Sequence, residues 1–382
     1  MRGTALVALA AVSFAGVGAA TAYVRLENNI ETWDVTQLTG PPPTPEVQEP
    51  VDPTDPHAGR ALNYLVMGSD VRDGENALIG GEVEGMRSDT AIIMHISAAR
   101  DRVELVSIPR DSHVQIPDCL YYDGTSSRPQ EARFNAAFAT GAKNDDVGEA
   151  AACTIRTVQA LTGIAIDGWV VVDFAGFRNM VDALGGVQMC IPETMYSELA
   201  GLYVEGSPEF QTLDGRTALA FARARTGTGL GNGSDIMRIQ RQQQLIGSIA
   251  KDVLGRNILT DSSALYRFLN ATTQSLKADP DTGNITNLMG LAFSLQNVPS
   301  GNIVFMTVPH VSYPADRNQV IWTDDASKIW AALISDTPLI PPPVVVPEPT
   351  PGATEQPVAP PVVEVPTYGN PFSPDDLPTT CG

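Results

Sequence analysis

Proline placement sets the limits on what this chain can fold into. Seven prolines fall between Pro41 and Pro56 and fourteen between Pro338 and Pro378, leaving nine for the rest of the 382 residues. Proline fixes φ and donates no backbone hydrogen, so neither stretch can enter the interior of a helix or sheet. Both stretches also lack the apolar surface needed to offset the cost of ordering them. About 280 residues remain between them, enough for a substantial core. The expected organisation is an N-terminal membrane segment (1–24), a Pro-rich acidic linker (25–58), a folded domain outside the membrane (59–336) and a disordered Pro-rich tail (337–382).

Arg2 precedes an apolar run from Ala5 to Val24, which Arg25 and Glu27 close. About 20 apolar residues suffice to cross a bilayer as a helix. The run reads as an uncleaved single-pass anchor at the cell membrane, preceding an exported domain that the linker would hold off the surface. Ala20-Thr21-Ala22 leaves a cleaved signal peptide as the alternative.

The formal net charge of −20 argues against nucleic acid as a partner, since that calls for a basic face. The four cysteines, Cys119, Cys153, Cys190 and Cys381, fit no zinc or redox spacing. In an exported protein they are expected to form disulfides, with Cys119–Cys153 favoured across a loop-rich segment.

Near-continuous apolar strands alternate with helical periods. Strands are expected at Ala61 to Met67, Thr90 to Ile96, Val103 to Ile108, Trp169 to Asp173 and Ile303 to Val308. Helices are expected at Val147 to Leu161, Phe177 to Leu184 and Asp235 to Leu254. This pattern predicts an α/β layered sandwich, a central mixed β-sheet flanked by helices. Glycine-rich phosphate loops, the Gly-x-Ser-x-Gly elbow and His-Glu-x-x-His are absent from the sequence. With four histidines, one of them in the linker, a His-based triad has little support.

What remains is a set of Asp and Arg at strand ends and helix starts: Asp70 and Arg72, Arg87 and Asp89, Arg110 and Asp111, Arg223 and Arg225, then Asp235, Arg238 and Arg241. Ligands of α/β sheets gather at the carboxyl ends of strands. Arginine clamps phosphate oxygens through two parallel hydrogen bonds, and Asp holds Mg²⁺, which itself binds pyrophosphate. Arg223 and Arg225 lie two residues apart before a Gly-rich run. In an extended segment both would face one ligand.

The motifs that carry these residues resemble the LytR-CpsA-Psr family of cell-wall phosphotransferases. The matching pieces include Gly68-Ser69-Asp70-Val71-Arg72, Arg87-Ser88-Asp89-Thr90, Pro109-Arg110-Asp111, Val172-Asp173-Phe174, Leu213-Asp214-Gly215, Ala222-Arg223-Ala224-Arg225 and Asp235-Ile236-Met237-Arg238, in family order between residues 60 and 255. The resemblance implies transfer of a glycopolymer phosphate from a polyprenyl-pyrophosphate carrier to a peptidoglycan hydroxyl, forming a phosphodiester at the outer face of the cytoplasmic membrane. It implies Mg²⁺, with Mn²⁺ as a substitute, held by Asp70 and Asp89. Arg72, Arg87, Arg110, Arg223, Arg225 and Arg238 would bind the pyrophosphate, with Asp89 or Asp235 as base for the acceptor. A lipid carrier also needs an apolar groove, expected from the helix after Phe174 and the Phe134/Phe138 helix. Two other classes use the same features: a pyrophosphatase that transfers to water, and a non-catalytic wall-binding scaffold. Neither the glycopolymer nor the oligomeric state is legible in the sequence.

Overall fold

The computed structural model describes residues 20–40, 55–69, 86–255, 262–340 and 371–381. Seven strands form the central sheet: β1 (Glu31–Thr32), β2 (Leu62–Ser69), β3 (Ser88–Ile96), β4 (Val103–Ile108), β5 (Gly168–Val172), β6 (Leu276–Ala278) and β7 (Ile303–Thr307). Their order is β1-β6-β5-β2-β3-β4-β7. The sheet is mixed. β2 runs parallel to β5 and β4 parallel to β7, whereas β3 runs antiparallel to both β2 and β4.

The apolar runs of β2 and β3 follow from burial on both faces. Leu65, Met67 and Ile93 pack into one core, while Val66 and Ile92 turn to the other side. Among the helices that cover the faces are α1 (Val147–Thr162), α2 (Phe174–Ala183), α3 (Gly215–Arg223), α4 (Asp235–Gly255) and α5 (Asp325–Ile334). Asp146, Asp173 and Asp214 each accept a backbone hydrogen in the first turn of α1, α2 and α3, which fixes where these helices begin. α1 and α5 cover one face with Cys153, Val158, Ile329 and Leu333. α2, α3 and α4 form the opposite layer around Val181, Ala218, Phe221, Leu245 and Ile249. Phe138 is fully buried; truncating such a residue to Ala costs about 3–5 kcal/mol.

The expected boundaries need correction at both ends. Residues 25–40 belong to the domain. Leu26, Ile30, Val35 and Leu38 are buried, and β1 adds to the sheet edge beside β6. Their apolar spacing precedes the first proline, so the argument from proline did not apply to them. Asp55, at the far end of the expected linker, is buried and ion-paired with Arg100 at 2.9 Å. The expected tail also returns to the fold. Phe372 exchanges backbone hydrogen bonds with Phe305 on edge strand β7, and Leu339 is buried against Glu104. Proline tolerates a sheet edge, where half of the backbone groups need no partner.

The sulfurs of Cys119 and Cys153 lie at disulfide distance with Cα atoms 4.9 Å apart, and those of Cys190 and Cys381 with Cα atoms 5.3 Å apart. Most of the expected membrane segment lies outside the described residues, which are helical at 20–27. Among the described residues no helix is long and apolar enough to cross a membrane.

Candidate active site

The strand ends on one side of the sheet converge on a cluster of charge. Asp89 is the second residue of β3, and Arg110 and Asp111 follow β4 by two and three residues. Asp235 opens α4, and Arg238 lies one turn further on the same side. Arg110 ion-pairs with Asp89 and lies 3.5 Å from Asp235 and 3.7 Å from Asp111. Arg238 reaches Asp235 at 2.5 Å and Asp89 at 3.6 Å, and donates to the backbone oxygen of Asp89 at 2.9 Å. Two guanidiniums thus bridge the carboxylates of β3 and α4.

Burial separates the two acids. It pushes the Asp89 carboxyl up, but Arg238 and Arg110 outweigh it and hold the group below its ordinary range. Asp235 is raised instead, first by burial; Arg238 opposes the rise and Asp111 adds to it. Among the described residues, neither Asp235 oxygen receives a well-directed hydrogen bond. The surroundings thus push the two carboxyls in opposite directions, Asp89 toward the ionised form and Asp235 toward the protonated one.

Arg223 and Arg225 part company. α3 runs through Arg223, whose guanidinium lies 4.4 Å above the Phe174 ring. At buried Ala224 the backbone turns extended, with ψ 132°. Arg225 then points to Asp111 at 3.8 Å. Arg241 donates to the backbone oxygens of Leu230 and Ala224, and Gln242 to that of Ala222. α4 therefore fixes the turn that separates the two arginines, and the single shared face expected of them gives way to two flanks.

Those flanks are chemically unlike. Arg223, Arg238 and Asp89 line a largely apolar cavity of about 250 Å³ with Val66, Ile92, Phe174, Phe177, Leu245 and Ile246, which Thr90, Asp173 and Gln242 also reach. Arg225, Asp111 and Asp235 line a polar cleft of about 750 Å³ with Arg133, Asn232 and Arg317. Phe174 and Phe177 line the groove as expected, but Phe134 and Phe138 do not. Both are buried in the core on the α1 side of the sheet.

Of the remaining expected residues, Arg87 precedes β3 and is exposed, while Asp70 and Arg72 lie outside the described residues. Sequence reasoning gave no role to Asp111 as a partner of three arginines, or to Arg133, 3.3 Å from it. Asp111 had a signal in its place beside Arg110; Arg133 had none. Asp173, Asp182 and Asp214 are structural: Asp173 and Asp214 cap helices, and Asp182 accepts from the backbone of Gly215.

Carboxylate oxygens are hard donors suited to Mg²⁺. Among the described residues no three metal-ligating side chains gather as one set. Mg²⁺ bound to a phosphate substrate needs only one or two carboxylates, the remaining positions being taken by phosphate and water. Asp89 is half-buried and held ionised, but its two oxygens face Arg110 and Arg238, so a shared ion would have to displace one of these contacts.

Comparison with known proteins gives one consistent answer. The chain is 29% identical to the cell wall biosynthesis protein LcpA of Corynebacterium glutamicum over 72% of this chain and 55% of the relative. It is 32% identical to the probable cell wall biosynthesis protein LcpB of the same organism over 69% of this chain and 58% of the relative. The chain thus spans little more than half the length of these two. It is 26% identical to a polyisoprenyl-teichoic acid–peptidoglycan teichoic acid transferase TagU of Halalkalibacterium halodurans, over 69% of this chain and 83% of the relative. The fold matches a LytR-Csp2A-Psr enzyme from Actinomyces oris with TM-score 0.52 at 20% identity, covering 77% of this chain and 96% of that one. It matches TagT bound to LI-WTA with TM-score 0.54 at 19% identity, covering 80% and 98%. The family model matches residues 36–334, and the chain belongs to the LytR_cpsA_psr family.

Proposed function

We propose that this protein transfers a glycopolymer phosphate from a polyprenyl-pyrophosphate carrier to a hydroxyl of peptidoglycan. The observation that carries this is the meeting of an apolar cavity and a polar cleft at one Arg–Asp cluster. The relatives named as cell wall biosynthesis proteins and as teichoic acid–peptidoglycan transferases support the same reading.

In this scheme the polyprenyl chain enters the cavity between β2, β3, α2 and α4. The pyrophosphate lies against Arg223 and Arg238 on that side and Arg110 and Arg225 on the other. Arg72 and Arg87 are further candidates at the rim. The acceptor hydroxyl attacks the phosphorus that carries the glycopolymer, a new P–O bond forms, and the bond to the bridging oxygen breaks. Polyprenyl phosphate leaves with the electron pair. Asp235 takes the acceptor proton, a role that its burial suits. The guanidiniums are already in place where negative charge grows on the leaving phosphate.

Asp89 and Asp70 would hold Mg²⁺ or Mn²⁺, which neutralises charge on the pyrophosphate oxygens. Calorimetric Mg²⁺ binding should strengthen when pyrophosphate is present; equal affinity without it would remove the shared site. The N-terminal anchor belongs to the same proposal, and because residues 25–40 pack on the domain it would hold the domain close to the bilayer. Release of the full chain from membranes by a high-salt wash would refute the anchor. The reaction itself is tested by product analysis. With acceptor glycan present, polyprenyl monophosphate and a phosphodiester-linked glycan should appear together. Equal release of polyprenyl phosphate without acceptor would favour a pyrophosphatase, and no release at all a scaffold.

A further inference from the structure

Between Ile191 and Leu213 the chain forms a short hairpin, Met195–Ser197 paired antiparallel with Leu202–Val204. Strand alternation turns Ser197, Leu202 and Val204 inward, where all are buried. Tyr196 and Tyr203 face out, 46% and 66% exposed. They are direct cross-strand partners, so their side chains stand on one face about 5 Å apart at Cβ. Thr228 extends the row. Tyr196 N donates to the Thr228 oxygen at 3.1 Å, and Thr228 N to the Tyr196 oxygen at 2.9 Å. Gly227 permits this approach, since its φ is +144° and a Cβ there would overlap the Tyr196 carbonyl oxygen. Thr228 follows Arg225 by three residues, so the row starts at most about 10 Å from the backbone of the arginine that meets Asp111.

The two adjacent tyrosines form an exposed aromatic face. Its surroundings indicate what binds. Glu193, Glu198, Glu205 and Glu209 are all exposed around the hairpin, and no Lys or Arg occurs from residue 193 to 213. Such a rim repels a phosphate-bearing polymer, polyprenyl pyrophosphate and an anionic bilayer alike. An uncharged sugar strand suits it, laying its C–H faces on the phenol rings and donating its hydroxyl hydrogens to the carboxylates.

We propose that this hairpin face is a subsite for the uncharged glycan strand of the peptidoglycan acceptor, joined through Thr228 to the segment that carries Arg225 into the polar cleft. The identity of the strand as an acceptor rests on the function proposed above; binding to the face does not. Chitohexaose, an uncharged β-1,4-linked N-acetylglucosamine hexamer, is a suitable probe. Titrated into the full chain without donor, it should bind. Tyr196→Ala and Tyr203→Ala should each weaken binding about fivefold, and Tyr→Phe at either position should restore it. Affinity for a soluble polyprenyl pyrophosphate should stay at the wild-type level. Unchanged chitohexaose affinity in the double Ala variant, or no binding by the wild type, overturns the subsite. Loss of affinity for donor glycopolymer or phosphatidylglycerol vesicles in place of chitohexaose assigns the face to the donor or the membrane and overturns it as well. A wild-type chain that binds chitohexaose but transfers no phosphate sinks the transferase reading alone and supports the subsite.

Discussion

Replacing Arg238 by Met tests whether the buried charge cluster is one coupled unit. Met keeps most of the apolar stem and removes the guanidinium. Arg238 is 2% exposed, and its loss leaves Asp235 without a partner 2.5 Å away and Asp89 without one at 3.6 Å. Breaking a buried pair by removing one partner costs about 3–5 kcal/mol, because the remaining charge stays desolvated. That is a large fraction of the about 5–15 kcal/mol that holds a domain folded. For a domain of this size it corresponds to a drop in Tm of about 10 °C. Adding Asp235→Leu should recover part of the loss, since the stranded carboxylate goes with its partner. The expected coupling between the two sites is at least about 1 kcal/mol. Urea unfolding followed by tryptophan fluorescence provides the midpoint and slope for each variant and for the double. A single-variant cost below about 1 kcal/mol would show that Arg238 is solvated. A double variant that costs the sum of the singles would refute the coupling itself.

Three further outcomes are expected. Ile246→Trp, which fills the apolar cavity, should raise the KM for a polyprenyl-pyrophosphate donor at least tenfold while leaving Tm within a few degrees; an unchanged KM would place the lipid elsewhere. His95 is buried between Asn63 and Asp336, and burial lowers its pKa despite Asp336. The unfolded chain therefore takes up the proton first, so stability should fall as pH drops below about 6.5, and His95→Gln should flatten that dependence between pH 7 and 5; a parallel pH profile would exclude His95 as its source. Cys190→Ser with Cys381→Ser opens a link spanning 191 residues and should cost about 4–5 kcal/mol; an unmoved Tm would mean that residues 371–381 are dispensable.

The sandwich was readable because β2 to β4 and α4 each bury enough surface to leave a strong pattern. Asp89, Arg110, Asp235 and Arg238 were readable because each sits at a strand end or helix start, where the backbone alone dictates position. The split of Arg223 from Arg225 was not. It depends on Arg241 and Gln242 holding the Ala222 and Ala224 carbonyls from another helix, a contact without local signature. The same holds for Phe134 and Phe138, whose spacing marks a helix but not which face of the sheet it covers. The docked C-terminal segment was hidden by its own composition. Phe372 on the edge strand and the Cys190–Cys381 pair hold residues 371–381 against the domain, contacts that proline content does not reveal.

In the proposed reaction the glycopolymer phosphate passes to a sugar hydroxyl and not to water. Running the reaction in ¹⁸O-labelled water with lipid-linked glycopolymer and peptidoglycan, then weighing the products by mass spectrometry, tests it directly. Transfer to a hydroxyl should yield a phosphodiester-linked glycan and polyprenyl monophosphate, both free of ¹⁸O. Label in the phosphate of released glycopolymer, with no linked glycan, would contradict it.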